Sequence, residues 1–254
     1  MMDAVPRHLP LPASAGLLGL GVAAAAGAWV GLRQPPALAR LLARQSAVLV
    51  AVPTPHPRVA ITLDDGPSGE LTPALLDVLE RHRARATFFV LGSAVASHPG
   101  LVAAAHAAGH EIANHGWLDR PAVWLSRPAL LDDLQRTGEA VAAVTGHPPR
   151  LVRPGSGWLR PAQLRDVRGR GLTVVLGSVA VLDLALADVE REVRFVAERL
   201  QPGAVVVLHE GRPERAPVVE LLDRVLTEVE RLGYEAVTVS QLLGDEGEAP
   251  RGDT

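Results

Sequence analysis

Two adjacent carboxylates, Asp64-Asp65, end the run Ile61-Thr62-Leu63 and lead into Gly66-Pro67. Side by side at a strand end, such carboxylates diverge, so one can ligate a cation while the other takes a proton from an activated water. His115 and Asp119 stand four residues apart in Asn114-His115-Gly116-Trp117-Leu118-Asp119. On one helical turn that spacing puts both on one side, where they can share a cation with Asp65 as third donor and a position left for water. Arg153 can engage the base, Asp64, through a bidentate contact. His209 can give a proton to a leaving group, with Asp183 orienting it. Each element alone has an ordinary structural role: Asp-Asp-Gly-Pro is a good turn, His-x-x-x-Asp pairs occur by chance on exposed helices, and a strand-end histidine is as often simply hydrogen-bonded. Together they favour metal-assisted hydrolysis.

The elements that must position them follow from hydrophobic spacing. Apolar runs at 59–63, 86–91, 111–113, 151–152, 173–176, 205–208 and 236–239 read as buried parallel strands. Amphipathic stretches at 71–82, 99–108, 127–145, 161–168, 187–200 and 217–232 alternate with them as helices. That alternation predicts an α/β fold with a parallel sheet, open or closed. Asp64, Asn114-His115, Arg153 and His209 all fall just past strand C-termini, with Asp183 a few residues beyond another, and that is the end where parallel sheets and barrels assemble their sites.

Composition removes several alternatives. The chain has 254 residues, no cysteine, and only arginine among its 25 Lys and Arg positions. Schiff-base lysines, phosphate-loop lysines, thiol nucleophiles and disulfides are therefore excluded. A net charge of −3 and 3 % aromatic residues argue against a nucleic-acid partner, and no pattern points to a protein partner. Residues 13–31 are nearly all Ala, Gly, Leu and Val, which predicts a hydrophobic helix that either anchors the chain in a membrane or is a cleavable signal. Arg33, Arg40 and Arg44 follow it while only Arg7 precedes it, a bias that by itself keeps the following domain cytoplasmic. The layout is an apolar segment at 1–32, a juxtamembrane helix through Val52 with a Pro-rich linker to 57, a catalytic domain at 58–243 and a tail at 244–254.

Thr62-Leu63-Asp64-Asp65-Gly66-Pro67 resembles the first signature of the polysaccharide deacetylase family, the NodB-homology group or carbohydrate esterase family four. Asn114-His115 to Asp119, Arg153-Pro154-Gly155-Ser156-Gly157, Asp183 and Leu208-His209-Glu210 resemble its later motifs in order, over nearly all of 58–243. The resemblance implies a distorted (β/α)7 barrel, a divalent metal, usually zinc, at Asp65, His115 and Asp119, Asp64 as base and His209 as acid. It also implies removal of N-acetyl or O-acetyl groups from an acetylated polysaccharide such as chitin oligomers or peptidoglycan, and hence an extracytoplasmic, membrane-anchored or secreted domain, against the arginine bias. Ser156 falls at a position whose backbone N–H serves the oxyanion in the family. Five positions depart from the family pattern: Asp119 stands for the usual histidine, which admits Co2+ or Mn2+ beside Zn2+, Gly155-Ser156 for Pro-Tyr, Leu184 for Trp and Val207 for Leu. Asn-His-x-Trp-x-Asp and Arg-Pro-Gly-Ser-Gly-Trp together are similar to a chitin-deacetylase-like branch. Two alternatives remain: a non-catalytic glycan binder of the same fold, and an amidase or esterase for a non-carbohydrate substrate.

Overall fold

Val59, Ile61 and Leu63 alternate with Ala60, Thr62 and Asp64 in β2 (Arg58–Asp64), and the period of two sends the two sets to opposite faces. The first set packs with Leu75, Val78 and Leu79 of α1 (Leu71–Arg81) and with Leu221, Leu222 and Val225 of α7 (Val218–Arg231) in the outer core. On the other face Ala60 packs with Phe89, Ala113, Leu151, Val175 and Val205. Thr62 and Asp64 continue that inner face, so a polar pair sits at one end of an otherwise apolar interior.

The computed structural model describes residues 48–181 and 188–244. The apolar segment at 1–32, Asp183 and the tail beyond Gly244 lie outside the described residues. No described helix is long and apolar enough to cross a membrane.

The remaining strands are β1 (Val48–Leu49), β3 (Ala86–Val90), β4 (Glu111–Asn114), β5 (Leu151–Val152), β6 (Thr173–Val175), β7 (Val179–Ala180), β8 (Val205–His209) and β9 (Glu235–Val237). They form one sheet in the order β1-β6-β5-β4-β3-β2-β8-β7, with β9 added beside the start of β2, and every described pairing is parallel. Between β6 and β7, Leu176 N donates to Leu49 O of β1 at 2.7 Å and Ser178 N to Val205 O of β8 at 2.9 Å, so this short connection runs from beside one end of the strand order to the other and curls the sheet. The helices that cover it are α1, α2 (Gly92–Ser97), α3 (Pro99–Ala107), α4 (Arg127–Thr145), α5 (Pro161–Gly169), α6 (Val189–Ala197), α7 and α8 (Val239–Gly244).

The seven expected strands are all present, and α4 has the expected limits because its ends are written locally. Ser126 Oγ accepts from Ala129 N at 3.3 Å, and Gly146 closes the helix with φ +87°. Two boundaries differ from expectation. The described end of that stretch, residues 48–52, expected as part of a juxtamembrane helix, instead pairs Val48–Leu49 as β1 against β6, with Val50, Ala51 and Val52 buried. Among the described residues the packed fold therefore already includes 48–57, ahead of the expected start at 58, because a Val-rich run beside a sheet edge gains by pairing. Gly203 receives this strap: Val52 N donates to Gly203 O at 2.9 Å, and at φ +83° a Cβ there would overlap the Val52 carbonyl oxygen. The last expected strand ends at Val237, since Val239 N is taken by Thr87 Oγ1 at 2.9 Å and opens α8.

Candidate active site

Parallel register explains why residues far apart in sequence meet. Asp64 on β2 pairs in register with His209 on β8, and Asp64 Oδ2 lies 4.0 Å from His209 Nε2, too far for a hydrogen bond. Arg153, one residue past β5, reaches under this pair. Its Nη1 donates to Asp64 Oδ1 at 2.5 Å and to Thr62 Oγ1 at 2.8 Å, its Nε to Val175 O at 3.2 Å, and its guanidinium lies 4.1 Å over the Phe89 ring. The contact to Asp64 uses one nitrogen, in place of the bidentate clasp expected from sequence. Burial pulls the Arg153 pKa down and the Asp64 charge opposes that pull, so the two side chains, both almost wholly enclosed, keep each other's charge tolerable.

Asp65 has φ +72°, a backbone state rare for a residue with a side chain and concentrated at functional sites. It turns the carboxylate away from Asp64 and toward His115, as the diverging pair requires. His115 Nδ1 lies 2.8 Å from the Arg153 carbonyl oxygen and donates to it as N–H, which directs Nε2 to Asp65 Oδ1 at 3.1 Å. That oxygen is buried and accepts no conventional hydrogen bond. Arg215 secures the other oxygen, donating from Nη1 to Asp65 Oδ2 at 2.6 Å and also to the Glu210 carbonyl. Burial opposes ionisation of Asp65, but His115 close beside Oδ1 and the Arg215 hydrogen bond on Oδ2 hold the carboxyl well below the usual range. For His115, burial disfavours the charged ring and the charges of Asp64 and Asp65 outweigh it, so its pKa is raised.

Asp119 is placed elsewhere. The chain leaves His115 through Gly116 at φ +85°, and residues 117–120 form bends rather than a helical turn, so the four-residue spacing does not align the two side chains. Asp119 is 38 % exposed and pairs with Arg212. Among the described residues no group of three His, Asp or Glu side chains is gathered for a metal. Asp65 and His115 do fit one as a pair: an imidazole lone pair and an orphaned carboxylate oxygen 3.1 Å apart match neighbouring ligands of a cation bound at about 2.0–2.2 Å. The carbonyl on Nδ1 is the outer-shell contact that ligating histidines use to fix their tautomer. Ser156 is exposed with φ +62°, and among the described residues its N–H donates no hydrogen bond.

Several supporting groups escaped the sequence reading. Asp133, on α4, builds the loop after β4: Trp117 N donates to its Oδ2 at 2.8 Å and Arg120 Nη2 to its Oδ1 at 2.5 Å. Arg215 and Thr62 were missed as well, since nothing in their local sequence sets them apart. Glu210 is fully enclosed and takes a 2.5 Å hydrogen bond from Thr72 Oγ1. Burial pushes its pKa up to about 7, opposed by the Thr72 bond and reinforced by the Asp65 charge. An acid whose folded pKa lies above its unfolded value, about 4.3, costs nothing in acid and removes stability as pH rises through that window. Glu210→Gln is thus expected to gain on the native chain by roughly 3 kcal/mol between pH 4.5 and 7.5, measured by urea unfolding across pH; a constant difference would show that Glu210 is charged throughout.

Comparison with known proteins gives a consistent relationship. The family profile described as polysaccharide deacetylase matches residues 51–175. A peptidoglycan-N-acetylglucosamine deacetylase of Bacillus cereus is 36 % identical over 194 residues, covering 76 % of this chain and 91 % of that protein. The peptidoglycan-N-acetylglucosamine deacetylase PgdA of Listeria monocytogenes is 34 % identical over 188 residues, 74 % of this chain but only 39 % of the relative's length. The crystal structure of the Bc1960 peptidoglycan N-acetylglucosamine deacetylase, in complex with 4-naphthalen-1-yl-N-oxidanyl-benzamide, superposes with a TM-score of 0.74 at 26 % identity, covering 77 % of this chain and 92 % of that one.

Proposed function

The chain belongs to the polysaccharide deacetylase family, and on that premise we propose that it is a hydrolase removing acetyl groups from a polysaccharide of the peptidoglycan or chitooligosaccharide type. The observation that carries this reading is one enclosed cluster at one end of the sheet. A carboxylate backed by a buried arginine, a histidine in register with it and an aspartate–histidine pair suited to a cation all meet there.

Asp65 and His115 would hold a divalent cation, with Asp119 joining on release from Arg212, and the cation would polarise the acetyl carbonyl and acidify the attacking water. The compound bound to the solved relative is a hydroxamic acid, a class of bidentate metal chelator, which supports a metal in that protein and by kinship in this one. Asp64 takes the proton of the attacking water on Oδ2, since Arg153 occupies Oδ1. Arg153 also keeps the carboxylate from rotating. The Ser156 N–H supplies a donor for the carbonyl oxygen as it gains charge, a contribution typically worth about 3 kcal/mol. His209, beside Asp64 on the neighbouring strand, protonates the departing amine or hydroxyl. Asp183, outside the described residues, is the residue this reading assigns to orienting His209. Such polymers are met outside the cytoplasm, so the domain works there.

The test is acetate release by the full chain from chitooligosaccharides, peptidoglycan and acetylxylan with added Zn2+, Co2+ or Mn2+. Acetate from chitooligosaccharides or peptidoglycan is expected. Metal uptake and glycan binding with no acetate from any substrate would favour the non-catalytic alternative.

A further inference from the structure

Because the described strands pair in parallel, they begin together at the rim opposite the candidate site, and the helices that return between them end there. The arginines of this rim fall into two groups. On the side of β2 and α7 they are paired with acids: Arg58 with Glu235 at 2.8 Å, Arg81 with Asp223 at 2.7 Å and Arg231 with Glu228 at 2.7 Å. On the side of β3 to β6 they are not. Arg83 and Arg85 lead into β3, Arg150 into β5, and Arg168 and Arg170 close α5 ahead of β6, all five exposed. Among the described residues the side chains of Arg83, Arg150 and Arg168 make no hydrogen bond or ion pair. Arg85 donates to the Ala84 carbonyl, and Arg170 to the neutral amide oxygen of Gln135.

These five lie along one arc. Thr173 N, at the start of β6, donates to the Arg150 carbonyl at 2.9 Å, and the Arg85 side chain crosses the turn before β4, where a Cβ on Gly109 would meet its Nε. Acids on the last turns of the helices around the arc are few. Glu80 ends α1, and Asp166 on α5 is held through both oxygens by Arg127. At the start of β4 the Glu111 carboxylate is taken up by Thr87 and Ser240. The whole chain carries −3, so this basic excess is local. Cations suit helix C-termini, which accounts for Arg168, but Arg85 and Arg150 stand in turns directly before strands. Gathered guanidinium groups repel one another, and an anionic partner relieves that repulsion.

We propose that this arc docks on an anionic lipid bilayer, with the candidate site turned away from it. Charge sets the class of partner, since guanidinium groups grip phosphate oxygens in pairs. Chain path sets the source of the phosphate. Because β1 pairs in parallel with β6, the chain enters the fold at this rim beside the start of β6. The sequence before that point holds Arg33, Arg40 and Arg44 and, ahead of them, the apolar run at 13–31. A basic stretch set between an apolar run and a basic rim suits lipid headgroups. The inference goes beyond the deacetylase reading and does not depend on it.

Partition of the full chain into vesicles tests it, taken as the ratio of the coefficient for vesicles with about 30 % phosphatidylglycerol to that for phosphatidylcholine alone. The apolar run contributes to both coefficients and cancels. Arg83→Gln, Arg150→Gln and Arg168→Gln are each expected to lower the ratio about fivefold, and together about a hundredfold, with the thermal unfolding midpoint kept. Orientation is read separately. The chain has no cysteine, so a single fluorophore can be placed on Ala108→Cys, at the rim, or on Ala129→Cys, in the first turn of α4 at the opposite end, both exposed. Energy transfer to a headgroup-labelled lipid is expected to be stronger from position 108 in the anionic vesicles, and to fall to the level of position 129 in the triple variant. Equal transfer from the two positions in anionic vesicles, or an unchanged ratio in the triple variant, overturns the proposal. If inorganic polyphosphate binds the native chain and not the triple variant while transfer stays equal, the arc takes a soluble polyanion and the bilayer proposal fails.

Discussion

Asp64→Asn lowers kcat for acetate release about 1,000-fold while KM changes little, because the substitution removes a proton acceptor from the transition state and leaves the substrate's contacts in place. Asparagine is the informative replacement. It keeps an oxygen for Arg153 Nη1, which donates to Asp64 Oδ1 at 2.5 Å, and so preserves the local packing. It cannot neutralise the enclosed guanidinium, so unfolding should cost about 3 kcal/mol less than in the native chain. Circular dichroism at 25 °C should still report a native fold. Acetate release at the native rate by a folded Asp64→Asn chain would remove Asp64 from the role of base.

Metal removal is the second large effect. Dialysis against a chelator is expected to bring acetate release to background, and Zn2+ or Co2+ to restore it. A measurement independent of activity decides where the ion sits. A ligand that binds only the folded chain stabilises it by about 2.7 kcal/mol at a hundredfold excess over Kd, so added Zn2+ should raise the unfolding midpoint of the native chain. His115→Ala should lose that rise, since it removes the imidazole nitrogen that faces Asp65 Oδ1 at 3.1 Å. Asp119→Ala should reduce it less, because Asp119 must first part from Arg212. If Zn2+ raises the midpoint of His115→Ala as much as that of the native chain, the ion is bound elsewhere.

Strands and their order of chemistry were readable because parallel strands buried on both faces are written as short β-branched runs, and polar residues directly after them stand out. Thr62-Leu63-Asp64-Asp65 and Val205 to His209 are of this kind. Less readable was anything that depended on a turn's hand. The left-handed state of Gly116 undoes the helical spacing of His115 and Asp119, and no count of intervening residues reveals it. Arg215 was hidden for another reason: one arginine among many becomes the partner of Asp65 only because its short helical turn folds back across the end of β8.

By itself the sequence determined the alternation of strands and helices, the limits of α4, and which residues stand at strand ends, because periodicity and capping are local properties that each segment carries with it. Only the tertiary structure decided that β1 joins the sheet, that Arg153 holds Asp64 by one nitrogen, that Asp65 faces His115 with Arg215 behind it, and that Asp119 pairs with Arg212. Those outcomes depend on which strands become neighbours and which charges share an enclosed space, and there the cost of leaving a charge unpaired selects the partner.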